Sequence, residues 1–258
     1  MGHPELDLSS KTAVVIGGTS GIGLAIAKGL AQAGANVVPT GRRQELVNSA
    51  AEQIKNLGRQ TLAVPCDVTS HASVQELCSA ARAEFGEVDI LVNCAGITKR
   101  KPTLEVSDSE WNGSLETNLT GTLRACQIFG RHMIARNYGR IINIASLASF
   151  IGLYEVAAYT ASKAAVAGLT RSLAVEWARY GVCVNAIAPG VFRTELNTAL
   201  LDGTPRGEEF RLRTPMRRFG TVDELAGAAV FLASDAASFV TGHLLAVDGG
   251  FLASGVNQ

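Results

Sequence analysis

The stretch Thr12-Ala13-Val14-Val15-Ile16-Gly17-Gly18-Thr19-Ser20-Gly21-Ile22-Gly23 decides how the chain is read. Five apolar or β-branched residues form a strand buried on both faces. They run directly into Gly17-x3-Gly21-x-Gly23, and an Ala-rich helical segment, Gly21–Ala33, follows. Glycine here lets the chain turn tightly and lets backbone N–H groups approach a pyrophosphate, while the helix N-terminus adds a partial positive charge. A glycine triplet alone also fits a tight β–α turn. Its place after the first strand and before a helix favours dinucleotide binding, with Gly17, Thr19, Ser20, Gly21, Ile22 and Gly23 forming the cradle.

Outward from this turn the same alternation repeats. Strands are expected at Ala13–Ile16, Asn36–Thr40, Thr61–Pro65, Ile90–Asn93, Arg140–Ile144, Cys183–Ala188 and Leu244–Val247. Helices are expected at Gly21–Ala33, Gln44–Leu57, Val74–Phe85, Asp108–Arg136, Val156–Tyr180 and Val222–Ala233. This is the pattern of an α/β Rossmann fold, with a doubly wound, seven-stranded parallel sheet flanked by helices. Ser70, Ser107 and Thr221 suit helix N-caps. Gly34, Gly58, Gly86 and Gly181 stand where helices end and positive φ is needed. No repeat or linker interrupts the chain, so residues 1–258 read as one domain. The least regular stretch, about 191–220, has the character of a substrate loop.

Composition excludes other classes. The 258 residues carry 23 basic and 23 acidic side chains, a net charge of zero, which speaks against a nucleic-acid binder. Apolar residues make up 47%, too many for a disordered chain. The longest stretch without a charge, Thr12–Ala27, is too short and glycine-rich to span a membrane. The five cysteines are scattered, without zinc spacing, and the four histidines are dispersed. No metal site is expected. Reduced thiols and a charged N-terminal stretch without an apolar run suit a cytoplasmic protein.

The second expected strand ends in Thr40-Gly41-Arg42-Arg43. An acid at Gly41 would bind the ribose hydroxyls of NAD. Arg42, with Arg43 beside it, instead offers a guanidinium to a 2′-phosphate. The reading is NADP(H) preferred, NAD(H) possible; the alternative is a solvated arginine pair entering a helix. Further on, Tyr159 and Lys163 lie four residues apart, on one face of an expected helix. A phenol with pKa near 10 is a poor acid–base group at neutral pH, and an ammonium beside it favours the phenolate. Ser146 follows the apolar strand Ile141–Ile144, at the sheet edge where ligands bind. Each feature alone has an ordinary explanation; their order along one chain does not.

Together these residues resemble the short-chain dehydrogenase/reductase family along essentially the whole chain. Gly17, Gly21 and Gly23 match its glycine pattern, and Asp67-Val68 its adenine-contact pair. Asn93-Cys94-Ala95-Gly96 matches its Asn-Asn-Ala-Gly stretch with one substitution. Pro189-Gly190-Val191 and Thr194 match the segment bordering nicotinamide, and Thr241-Gly242 to Asp248-Gly249-Gly250 the C-terminal segment. The resemblance implies a catalytic tetrad of Asn118, Ser146, Tyr159 and Lys163. Tyr159 would exchange the hydroxyl proton, Lys163 would lower its pKa and hold the nicotinamide ribose, Ser146 would polarise the carbonyl, and Asn118 would hold a relay water. Two departures stand out. Ile16 replaces a threonine that commonly supports the Asn-Ala-Gly turn, and Ser20 is often basic in NADP-preferring members.

The turn Ile97-Thr98-Lys99-Arg100-Lys101-Pro102 with Glu110-Trp111-Asn112 is similar to gluconate 5-dehydrogenases and other sugar-acid reductases. Arg100 would meet a substrate carboxylate; the alternative is a solvated basic loop. Leu147, Tyr154 and Asn197 are further pocket candidates. A 3-oxoacyl-[acyl-carrier-protein] reductase, with the carrier protein as partner, is the alternative reading, and a non-catalytic dinucleotide sensor a remote one. The resemblance also implies a homotetramer, with the apolar segment Phe251–Val256 covered by another subunit. A small-molecule substrate is expected, without nucleic acid or membrane. Arg42, Arg43, Lys99, Arg100, Lys101 and Lys163 are expected to make a basic cleft in a neutral chain.

Overall fold

The computed structural model describes residues 4–194 and 197–256; positions 195–196 of the expected substrate loop lie outside them. Six strands form one parallel sheet: β1 (Thr12–Ile16), β2 (Asn36–Thr40), β3 (Ile90–Asn93), β4 (Gly139–Ile144), β5 (Val182–Pro189) and β6 (Leu244–Val247). Their order is β2-β1-β3-β4-β5-β6.

The seventh expected strand, Thr61–Pro65, does not form, although the segment runs beside β2. Val37 donates to the Gln60 carbonyl, and Cys66 donates to Gly41. Between those two bonds the outward-facing position of β2 is Pro39, which has no N–H to continue a ladder. The Thr40 hydroxyl takes the Val64 carbonyl instead. One proline on the open edge therefore reduces an expected strand to an extended segment.

The helices are α1 (Gly21–Gln32), α2 (Gln44–Asn56), α3 (His71–Phe85), α4 (Asp108–Leu115), α5 (Gly121–Ala135), α6 (Ala157–Trp177), α7 (Thr198–Leu201), α8 (Pro205–Arg213) and α9 (Ala226–Ala233). Strands β1, β3, β4 and β5 are buried at every residue. Alternate residues enter different helix layers, as the two-residue strand period requires. Val14 and Ile16 pack with Leu77, Phe129 and Trp177 on the α3, α5 and α6 side. Ala13 and Val15 pack with Ile26, Leu30 and Leu232 on the α1 and α9 side.

The capping readings hold. The Ser70 hydroxyl accepts the Ser73 N–H, Ser107 forms a capping box with Glu110, and Glu224 reaches back to the Thr221 N–H. Gly34, Gly58, Gly86 and Gly181 all have positive φ. Some expected elements are subdivided, the helix Val222–Ala233 into a 3-10 turn at Val222–Leu225 followed by α9. The segment Asp108–Arg136 is broken by a π-turn at Glu116–Thr120, between α4 and α5. The loop after β5 contains α7 and α8, and its base closes where Phe192 bridges Gly220.

After β1 the chain moves to β2 on one side, and β3 resumes on the other side of β1. The carboxyl ends of β1 and β3 thus flank a topological switch point, where an open α/β sheet offers a crevice.

Candidate active site

One wall of this crevice is mainly backbone. The Gly17 and Gly18 N–H groups both donate to the Thr40 carbonyl, at 2.8 and 3.0 Å, which folds the turn over the end of β2. Gly17 has φ +83°, and a Cβ there would lie 2.5 Å from the Ala95 nitrogen. Only glycine fits, because the Cys94–Gly96 turn after β3 docks against it. The Cys94 N–H donates to the Ile16 carbonyl at 2.8 Å. The main chain therefore links β1 to the turn after β3 at this position, and the Ile16 side chain is buried apolar volume. Gly23 allows α1 to close on the turn, since a Cβ there would lie 2.0 Å from the Gly17 carbonyl oxygen.

Ser20 occupies the N-cap of α1, exposed and with no capping bond from its hydroxyl. The first-turn N–H groups of α1 remain available to an anion. Thr19 lies over Gly41, and Thr194 lies over Gly21, so the loop after β5 reaches the glycine turn. Ile22 is partly buried against the core. Arg42 and Arg43 are exposed at the end of β2. Asp67 carries a carboxyl held below its usual value, first by the Thr69 N–H and also by the Arg42 and Arg124 charges. Val68 is pressed against Gly121. A glycine cradle, a free helix N-terminus and an exposed arginine at the second strand end fit a dinucleotide with a 2′-phosphate.

The reacting groups stand on the facing elements. Tyr159 and Lys163 lie on α6, with the Lys163 Nζ 5.8 Å from the phenol ring centre. Lys163 is buried and donates to the Ile144 carbonyl at 2.6 Å. Ser146 stands two residues beyond β4; its Oγ accepts the Ala148 N–H at 3.1 Å, and the residue lies near enough to Tyr159 to act on its pKa. Burial pushes the Tyr159 pKa above its usual value despite Ser146, and pushes Lys163 down to about 8. Both groups are desolvated, and burial is the leading cause of both shifts. The chain presents Tyr159 as a neutral phenol, ready to donate a proton.

Asn118 lies in the π-turn, fully buried. Its Oδ1 accepts the Ile97 N–H at 2.7 Å, and its amide donates to the Ile97 carbonyl and the Ser162 hydroxyl, both at 2.9 Å. Ser162 in turn donates to the Tyr159 carbonyl at 2.7 Å. The widened turn thus fastens α5 to α6 and to the turn after β3, a functional use typical of π-bulges. A Cβ at Gly96 would lie 3.3 Å from the Asn118 Oδ1 and 3.6 Å from the Lys163 Nζ. Sequence reading missed Ser162 and the π-turn. Ser162, three residues after Tyr159, was visible in the motif; the π-turn has no sequence signature of its own.

Several expected contacts have other work. The Asn93 side chain donates to Asn143 at 2.9 Å, and Asn143 donates to Thr170 at 2.9 Å, a buried polar chain supporting the turn. The Pro189–Gly190 step ends β5, and the Val191 carbonyl accepts the Gly220 N–H at 3.0 Å. Asn197 accepts the Thr194 N–H and donates to the Phe192 carbonyl, both at 2.8 Å, so it clasps its own loop rather than lining a pocket. Leu147 is buried, and Tyr154 is largely exposed. The cations of the basic turn are all paired, three of them on two carboxylates. Lys99 and Lys101 both hold Glu110, whose carboxyl lies far below its usual range, and Arg100 holds Glu155 at 2.7 Å. The arginines at the end of β2, by contrast, are exposed.

A family profile described as enoyl-(acyl carrier protein) reductase matches residues 17–252. Gluconate 5-dehydrogenase of Gluconobacter oxydans is 42% identical over 255 residues, 98% of this chain and 100% of that one. D-threitol dehydrogenase of Mycolicibacterium smegmatis is 43% identical over 247 residues, 96% of this chain and 95% of that one. A gluconate 5-dehydrogenase from Burkholderia cenocepacia, crystallised with NADP and tartrate, superimposes with a TM-score of 0.93 at 42% identity, covering 97% and 98% of the two chains. The chain belongs to the short-chain dehydrogenase/reductase family. It is an oxidoreductase of CH–OH and carbonyl groups, and no helix among the described residues is long and apolar enough to cross a membrane.

Proposed function

We propose that this enzyme interconverts a sugar acid or related polyol with its keto form, using NADP(H) in preference to NAD(H). The observation that carries the reaction class is the placement of Tyr159 beside Lys163 on one face of α6, with Ser146 near enough to act on the phenol. The gluconate 5-dehydrogenases among its relatives support the substrate class. Gly17, Gly21 and Gly23 would admit the pyrophosphate, Asp67 and Val68 the adenosine, and Arg42 the 2′-phosphate. Ala95, Gly96, Pro189, Gly190, Val191 and Thr194 would border the nicotinamide. When bound, the nicotinamide supplies or accepts the hydride at C4. Ser146 donates to the carbonyl oxygen, and the Tyr159 Oη delivers its proton to that oxygen. Lys163 is positioned to hold the ribose and to return a proton toward Tyr159. Asn118 keeps the turn after β3 and α6 in register.

A homotetramer accords with the nearly fully exposed Phe239 and Val175, which another copy would cover. Phe251 does not contribute to such a patch, because it is buried against Phe210. Five free cysteines suit the cytoplasm. Steady-state assays with NADPH against 5-keto-D-gluconate, an uncharged ketose and an acetoacetyl thioester test the substrate class. The keto acid should lead in kcat/KM by about 10²-fold. A lead for the thioester would replace this reading with acyl reduction.

A further inference from the structure

The Asp67–Val68 turn is held from two helices. On the α3 side, the Asp67 N–H donates to the Ser73 Oγ at 3.1 Å, and the Asp67 Oδ1 accepts the Thr69 N–H at 2.9 Å. On the α5 side the hold is steric as well as polar. Gly121 opens α5, and a Cβ there would lie 2.8 Å from the Val68 Cγ2. Without that carbon, the first turn of α5 lies close against Val68. Arg124, three residues on, shares this face of the helix. Its Nη1 donates to the Val68 carbonyl.

Val68 is buried, and among the described residues no main-chain N–H takes its carbonyl. A buried carbonyl without a partner is costly, so the guanidinium fills a place that the backbone leaves open. Its other Nη is engaged too. The Arg124 Nη2 donates to the Glu116 Oε1 at 2.8 Å, and 16% of the arginine side chain is exposed. Glu116 is the first residue of the π-turn that carries Asn118. That turn has its own hold, since Asn118 makes three hydrogen bonds to Ile97 and Ser162. The guanidinium therefore runs from a fixed anchor to the Asp67–Val68 turn. Val68 in turn shares a small cavity with Ile16, at the end of β1, and Ala95, in the turn after β3.

We propose that Arg124 is a positioning residue for the cofactor: it ties the Asp67–Val68 turn to the π-turn and so fixes the wall that receives the adenosine half of NADP(H) or NAD(H). The role rests on Asp67 and Val68 meeting the adenosine, as proposed above. Both Nη groups of Arg124 are taken by protein acceptors, so it acts through Val68 and not on the cofactor itself. A wall that is ordered before binding spares the cofactor that ordering cost. Loosening it weakens the hold on adenosine and leaves Tyr159 in place, so the loss falls on affinity and not on turnover.

The experiment compares R124M, R124K, E116A and the R124M/E116A double variant with the wild type. It reads the Kd of 2′,5′-ADP, the adenosine half of NADPH alone, by calorimetry. It also reads KM for NADPH and NADH, and kcat at saturating cofactor with the ketone that the wild type reduces fastest. R124M should raise the 2′,5′-ADP Kd and both KM values by a common factor, about tenfold, with kcat within about twofold. R124K keeps a donor but not the fork and should recover part of the loss. E116A should raise the same constants about threefold and add nothing to R124M in the double variant, because Glu116 acts through Arg124. An unchanged 2′,5′-ADP Kd in R124M, or a fall in kcat as large as the rise in KM, overturns the role. Additive losses in the double variant overturn the tie to the π-turn. Should R124M fail to fold, E116A decides by the same split between Kd and kcat. D67A separates the proposal from the reading beneath it. Weaker 2′,5′-ADP binding in D67A beside an unchanged R124M overturns the role of Arg124 alone. An unchanged D67A overturns the place given to the adenosine, and the proposal with it.

Discussion

The two walls of the crevice are built from different materials. On the cofactor wall, backbone groups carry most of the binding capacity: the Gly17–Gly23 turn, the free N–H groups of α1, and the Cys94–Gly96 turn docked on Gly17. At the substrate mouth, side chains do the work and most are already paired: Lys99 and Lys101 with Glu110, Arg100 with Glu155, Asn197 with its own loop. A backbone wall tolerates little change and suits a ligand of fixed shape. A side-chain mouth can be rewired by one substitution, and relatives of similar identity carry the names gluconate 5-dehydrogenase and D-threitol dehydrogenase.

If chemistry lies between the walls, removing it should leave both intact. Tyr159→Phe keeps the ring and deletes the proton donor. It should lower kcat by about 10³-fold or more while KM for NADPH and for the ketone change little. The pH profile sharpens the test. Because burial raises the Tyr159 pKa, the phenol remains protonated through neutrality, so reduction should be nearly flat with pH while alcohol oxidation climbs into the alkaline range. A phenylalanine variant retaining a tenth of wild-type kcat would remove the tyrosine from its role.

The contrast between the walls also explains what could be read in advance. Glycine at positive φ and arginine at a strand end are local facts, and local facts survive in sequence. The Rossmann topology, the glycine cradle and the Tyr159–Lys163 pairing were legible for that reason. The tie between Arg100 and Glu155 spans 55 positions and depends on a left-handed residue that no motif marks. Asn197 is tied into its own loop by Thr194 and Phe192, because a place in the sequence brings a residue near a site without saying which way it faces. The missing strand at Thr61–Pro65 was partly foreseeable: Pro39 is in the sequence, but its outward register becomes visible only once β2 pairs with β1.

The lysine between the walls predicts a stability effect. Lys163 has a pKa of about 8 in the fold, against 10.5 as its ordinary value. Between those values the unfolded chain binds more protons at this site than the folded one, so its contribution to stability rises with pH from about 8 to 10.5. Below pH 8 the buried charge costs an amount on the order of 3 kcal/mol. Lys163→Met removes both the charge and the bond to Ile144. The difference in Tm, variant minus wild type, measured without cofactor, should therefore fall as pH rises from 7 to 10.5. A difference that is flat with pH would mean that the lysine is solvated in the fold.

The smallest effect probes the one charged part of the backbone wall. Arg42 is exposed at the end of β2, and the carboxylate its charge acts on, Asp67, is held first by Thr69. Removing the guanidinium should therefore disturb little of the fold. NADPH and NADH differ at the 2′ position alone, so the ratio of their KM values isolates that contact from everything else the cofactor touches. A charge-assisted hydrogen bond at a solvated site contributes about 1.5 kcal/mol, close to tenfold in an equilibrium constant. Arg42→Ala should raise KM for NADPH about tenfold and leave KM for NADH within about twofold, with kcat nearly constant for both. An equal rise for both cofactors would mean that Arg42 shapes the turn rather than reading the phosphate. No change for either would pass the phosphate to Arg43, the N-cap residue of α2, whose own alanine variant then becomes the decisive measurement.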